Sequence, residues 1–175
     1  MRRKLILSIC LALIAASAIA APRQWGSWFS GEADSGDFLY AVTANDAGHL
    51  LGQYCFPDQN SCVYLLGTSA ACEPGKQYPV LVDSDLGSAE LLLLCSGQLE
   101  SGHYRYLFTD FELIDDTVTR ASKLAFVFLP VNDRFNVVLF DLVGSNEAIA
   151  AMRASAEAGM RGRIPTTQQT PDQRL

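Results

Sequence analysis

Asp110 and Glu112 are the carboxylates whose spacing most invites a reaction. If His103–Glu112 (HYRYLFTDFE) is a strand, residues two apart share a face and stand about 7 Å from each other. That gap lies in the range inverting glycosidases use to flank a sugar bond with an acid and a base. Any i, i+2 acidic pair at a solvated strand end meets the same condition, so a carbohydrate-active enzyme is kept only as an alternative. His49 and His103 are the sole imidazoles, and no H-x-H or H-x₃-H spacing joins them into a local metal pair. No G-x-S-x-G elbow, Gly-rich phosphate loop or dinucleotide fingerprint occurs. Asp83-Ser84-Asp85-Leu86-Gly87 has a calcium-loop flavour without the twelve-residue ligand order, and a hairpin turn accounts for it. The residues therefore predict no catalytic site, no metal site and no cofactor.

Cysteine chemistry depends on compartment, and the chain start speaks to that. Arg2, Arg3 and Lys4 precede an uncharged apolar run from Leu5 to Ala16, and Ala18-Ile19-Ala20 then places small residues where signal peptidase reads. This order predicts a cleavable signal peptide over 1–20, cut before Ala21, and a periplasmic or secreted product. The run with its small-residue end is marginal against the roughly 20 apolar residues needed to span a bilayer. No later stretch approaches that length without charge, so no integral membrane segment is expected after cleavage. Cys10 follows Ile9 inside the apolar run and does not read as a lipidation site.

Cys55, Cys62, Cys72 and Cys95 remain after cleavage. An even number in an oxidising compartment predicts two disulfides, with three connectivities open. If Pro57–Asn60 is a four-residue turn, Phe56 faces Ser61 and Cys55 faces Cys62, close enough for a cross-strand bridge. Cys72 and Cys95 would then close the longer loop. Zinc is the rival reading, but the short C-x₂-C knuckles are missing.

The 175-residue chain carries 13 Lys and Arg against 19 Asp and Glu, a net charge of −6. Losing Arg2, Arg3 and Lys4 with the signal takes it to −9. Such a surface repels phosphate backbones, which argues against nucleic-acid binding, and it favours a basic protein partner.

The elements follow from turn signals and apolar spacing. The Gly/Ser-rich segment 21–37 leads in, with Trp25, Trp28 and Phe29 as candidate binding aromatics if they are not core. Residues 38–160 form the single disulfide-containing domain. Strands are predicted at Phe38–Ala44, His49–Phe56, Cys62–Gly67, Tyr78–Asp83, Ala89–Ser96, His103–Glu112, Lys123–Leu129 and Arg134–Val143. Tyr104, Tyr106 and Phe108 share one strand face, and Asp115-Asp116 marks a break. One helix is expected after Gly144, capped by Ser145, with Ile149, Met152 and Ala156 as its stripe and Gly159 as its stop. Residues 161–175 read as a disordered polar tail. The fold class is all-β, an antiparallel sandwich or barrel, with one C-terminal α-helix.

Three stretches together resemble the invasion-associated locus B family of exported bacterial proteins. They are Cys55-Phe56-Pro57-Asp58 with Cys62-Val63-Tyr64, the loop closed by Gly75 with strand Tyr78–Val82, and Phe135–Gly144 with Ala148. The wider cysteine spacing and the presence of Cys72 and Cys95 depart from the family's pattern. The resemblance implies a β-rich periplasmic or surface-associated protein of a Gram-negative bacterium, non-enzymatic, with an envelope or host-interaction role. It also supports the Cys55–Cys62 bridge. Inhibition of a basic hydrolase such as lysozyme is the alternative, suggested by the acidic charge and by Ser101-Gly102-His103-Tyr104-Arg105-Tyr106.

Overall fold

The computed structural model describes residues 21–99, 101–128 and 136–163. Residues 1–20, where a signal peptide is expected, lie outside the described residues; of the expected tail 161–175, residues 161–163 continue a helix and the rest lie outside the described residues. Alternating apolar residues with intervening turns produce ten strands: β1 (Arg23–Trp25), β2 (Trp28–Glu32), β3 (Leu39–Ala44), β4 (Leu50–Phe56), β5 (Ser61–Thr68), β6 (Gln77–Ser84), β7 (Gly87–Gln98), β8 (Tyr104–Phe108), β9 (Lys123–Phe128) and β10 (Asn136–Asp141). They form one antiparallel sheet in the order β1-β2-β3-β4-β5-β8-β7-β6-β9-β10. The lead-in segment thus supplies a hairpin of its own, β1–β2, in register Arg23 to Ser30 and Trp25 to Trp28.

The sheet rolls until its two ends meet. Ser27 donates its backbone N–H to the Val143 carbonyl at 3.2 Å, and the Trp28 indole N–H donates to the Asp141 carbonyl at 3.3 Å. The Asn45 amide donates to the Leu139 carbonyl at 3.0 Å. Carbonyls on the outer edge of β10 are thereby satisfied without a neighbouring strand, which also blunts the edge against pairing with another chain. Two glycines permit the approach. Gly26 and Gly144 both have positive φ, 54° and 91°, and a Cβ on either would overlap the backbone of the opposite segment.

Two helices cover the inner face, not one. α1 (Phe111–Arg120) replaces the end of the strand expected at His103–Glu112. Asp110 caps it, accepting a hydrogen bond from the Leu113 N–H at 3.0 Å, and Glu112 lies in its first turn. Ile114 and Val118, four apart, are buried, while Asp116 and Arg120 pair on the exposed side. The supposed break at Asp115-Asp116 is therefore the middle of a helix. α2 (Ser145–Arg163) buries Ala148, Ile149, Met152 and Ala156, the expected stripe with one addition. Ser145 does not aim its hydroxyl back at its own helix; it donates to the Val118 carbonyl at 2.6 Å and ties α2 to α1. Gly159 does not end α2, because an isolated glycine in a helix costs only about 1 kcal/mol relative to alanine.

One core fills the space between sheet and helices. It holds Trp28, Leu51, Tyr64, Leu66, Leu93, Phe126, Phe140, Ile114, Ile149 and Met152 among others. Both disulfides border it. Cys55 and Cys62 stand directly opposite on β4 and β5, with Cα atoms 4.0 Å apart, and Cys72–Cys95 ties the loop after β5 to β7 with Cα atoms 6.0 Å apart.

Candidate functional site: the outer face of the sheet

Among the described residues no helix covers the outer face of the sheet, and many of its side chains are apolar. The strand registers carry one row across it: Phe29 lies opposite Val42, Val42 opposite Gly52, Gly52 opposite Leu65, Leu65 opposite Leu107, and Leu107 opposite Leu94. A second row runs Leu81, Val127, Val137 from β6 through β9 to β10. Val137 and Leu139 are 58% and 63% exposed, and Leu81, Leu92 and Phe29 are also exposed. Between β3 and β4 the same face bears an aromatic cluster, with the Phe38 ring 5.8 Å from Tyr54, 5.7 Å from Phe56 and 6.5 Å from Tyr40. Burial, then the neighbouring Tyr40, raises the Tyr54 phenol above its ordinary range. Exposed apolar side chains and an aromatic cluster on one face are what protein interfaces use, with Tyr and Phe as anchors.

The three candidate aromatics of the lead-in segment part company. Phe29 stands on the outer face at 41% exposure. Trp28 points inward and is fully buried, so it belongs to the core and offers nothing to a partner. Trp25 is half-buried against that core. Period-2 alternation separates Phe29 from its neighbour, and the inward side of β2 is the side that α2 covers.

A polar network holds both helices to the sheet. Tyr64 donates its hydroxyl to Asp115 at 2.7 Å, Arg153 on α2 bonds the same carboxylate oxygen, and Arg153 Nε donates to Gln53 Oε1 at 2.8 Å. The Arg153 guanidinium also lies 6.0 Å from the Phe111 ring centre. Burial first, then the hydrogen bond to Asp115, pushes the Tyr64 phenol far up, so it stays a donor. The network joins β4, β5, α1 and α2 and is structural in character.

The residues weighed for chemistry fall elsewhere. Asp110 and Glu112 are not a facing pair on a strand; one caps α1 and the other follows in its first turn. Asp83 and Asp85 lie at the β6–β7 turn, where Asp85 accepts from the Ser122 hydroxyl at 2.8 Å and the Ser122 N–H at 2.9 Å, which hold its carboxyl below the usual range. His49 and His103, 54 positions apart in sequence, come together with ring centres 6.1 Å apart. Burial and then His103 lower the His49 pKa. Ser101 and Gly102 belong to the β7–β8 hairpin, where Gly102 N–H donates to the Leu99 carbonyl at 2.9 Å. Among the described residues no group of three His, Cys, Asp or Glu side chains is placed to hold a metal ion, and no helix is long and apolar enough to cross a membrane.

No family model and no curated protein matches the chain. A solved structure does. The crystal structure of invasion associated protein B from Bartonella henselae superposes with a TM-score of 0.56 at 12% sequence identity, covering 79% of this chain and 99% of that one. The fold is similar to that of an invasion-associated protein. At such identity the likeness is one of fold, and it agrees with the partial resemblance carried by Cys55–Tyr64, Gly75–Val82 and Phe135–Gly144.

Proposed function

We propose that the protein works outside the cytoplasm as a non-enzymatic binding protein of the bacterial envelope, presenting the outer face of its sheet to a protein partner. One observation carries this reading: the exposed apolar side chains, Val137 and Leu139 foremost, on a face that no helix covers among the described residues. The acidic charge of the chain favours a basic partner, steered before it docks. Export is supported by the n–h–c order of residues 1–20 and by two disulfides, which persist in oxidising compartments. The fold likeness to an invasion-associated protein supports an envelope or host-facing role.

Site-specific photocrosslinking in the producing cell tests it. A photoreactive residue at Val137, Leu139 or Phe29 is expected to capture one discrete adduct. The same residue at Asp46, exposed in the β3–β4 turn, is expected to capture none. Leu139→Asp with Val137→Asp should abolish the adduct while leaving the melting temperature within a few degrees. Equal or absent labelling at all four positions would refute the assignment of this face.

A further inference from the structure

A cleft of about 450 Å³ opens between the β1–β2 hairpin, the β2–β3 turn and α2. Its apolar side is Leu39 with Ala151 and Met152 of α2; its polar side holds Ser30, Glu32 and Asp34. Ala21, the residue expected to follow the signal cut, also lines it. The register shows why. Arg23 pairs with Ser30, the last pair of the β1–β2 ladder, so Ala21 lies two residues beyond its end, on the side where β2 continues to Glu32. Pro22 has no N–H to extend the ladder, so β1 stops there and the preceding residue is released into the cleft. Arg23, Ser30 and Glu32 fall on the inward side by alternation, since Trp28 and Ser30 are the buried residues of β2.

The cleft is charged in a particular way. Arg23 from β1, Glu32 from β2 and Asp34 from the β2–β3 turn are its ionisable groups, while α2 contributes Ala151, Met152 and Ser155, none of them charged. Neither carboxylate is in an ion pair among the described residues. Ser30 is only 6% exposed, and its hydroxyl has no hydrogen-bond partner among the described residues. A serine hydroxyl open to the cleft beside two carboxylates outside the ion pairs of the described residues offers acceptors to a cation with hydrogens to donate.

We infer that this cleft is a primary-ammonium site and that its occupant is the α-ammonium group created at Ala21 when the signal peptide is removed. The inference rests on the export reading above. With residues 1–20 attached, the Ala21 nitrogen is a neutral amide with one hydrogen. Hydrolysis of the Ala20–Ala21 bond adds water across it, leaving a carboxylate on the departing segment and an amine that protonates to a three-hydrogen cation. Ala21 lines the cleft together with Glu32 and Asp34, so that cation is created on the same wall as both carboxylates. Processing then fastens the three-residue edge strand β1, and the precursor lacks that fastening while it must stay translocation-competent.

The protein released from a fusion cut immediately before Ala21, so that its first residue is native, provides the test. The ¹³C shift of Ala21 is followed against pH by NMR. An unperturbed α-amino group titrates at about 7.7–8.0. The expected result is a value higher by about one unit, brought back toward normal by Glu32→Gln and by Asp34→Asn, and unchanged by Asp46→Asn. A single Gly added before Ala21 should abolish the response to Glu32→Gln and lower the urea midpoint at pH 7. An amine with an ordinary pKa that ignores both carboxylates overturns the site. The intact mass of the protein recovered from the envelope answers the separate question: a retained Met1 sinks the export reading, whereas an ordinary amine on a chain starting at Ala21 sinks the cleft assignment alone.

Discussion

Arg153→Met removes the one cation of the network beneath the helices while keeping much of the side chain's apolar volume. Two bonds go: Arg153 to Asp115 and Arg153 Nε to Gln53 Oε1. The ion pair is intermediate in burial, with side chains 35% and 23% exposed, so it falls between the 0–1 kcal/mol of surface pairs and the roughly 3–5 kcal/mol cost of breaking buried ones. Asp115 keeps the Tyr64 hydroxyl, which softens its loss. Gln53 fares worse: it is fully buried and its Nε2 already lacks a partner, so an orphaned Oε1 adds about 1–3 kcal/mol. The expected total is about 2–4 kcal/mol, read as a lower urea midpoint at unchanged m-value with both disulfides intact. Asp116→Asn, which breaks an exposed pair on α1, should leave the urea midpoint nearly unchanged. A cycle with Asp115→Asn should give a coupling above about 1 kcal/mol. If Arg153→Met proves no worse than Asp116→Asn, the network does not anchor the helices and the reasoning fails.

Gly144→Ala should cost more than about 3 kcal/mol in the same urea assay, since its φ of 91° disfavours a side chain and its Cβ would overlap the Trp25 carbonyl; a loss under about 1 kcal/mol would show that the sheet ends part easily. Chain entropy over separations of 23 and 7 residues predicts that replacing Cys72 and Cys95 by Ser costs about 1 kcal/mol more than replacing Cys55 and Cys62; equal losses by denaturant titration would contradict this. His49 has a folded pKa below its ordinary 6.5, so the unfolded chain binds the proton more readily and stability falls as pH drops through and below about 6.5. His49→Gln should flatten that part of the pH–stability curve, and His103→Gln should raise the His49 pKa by NMR; a His49 pKa of 6.5 would remove this dependence and one above 6.5 would reverse its sign. Asp110→Ala should destabilise by about 1 kcal/mol through loss of the α1 cap, with Asp110→Asn nearly neutral; equal losses for both would mean that the cap contributes nothing.

Period-2 alternation, turn residues and helical apolar spacing are local signals, and they are enough to anticipate most strands, the Cys55–Cys62 pairing across the Pro57 turn and the apolar stripe of α2. Each depends on neighbours within a few positions, where covalent geometry leaves little choice. α1 was legible in principle: Asp110 in capping position, Phe111, Ile114 and Val118 at helical spacing, and Asp116 four before Arg120 are all in the sequence. Aromatic and β-rich residues just before it pulled the reading toward strand, and burial of Ile114 and Val118 under the sheet settled the contest. Nothing local reports which strand edges meet. The contact of β10 with the β1–β2 turn, the convergence of Gln53, Tyr64, Asp115 and Arg153, the approach of His49 to His103 and the gathering of Ala21, Glu32 and Asp34 around one cleft all join residues far apart in the chain or on different elements. The same holds for the outer face. Whether Phe29 or Trp28 looks outward is fixed by where α2 lies, and a helix that covers one face of a sheet leaves the apolar residues of the other face uncovered by any helix among the described residues.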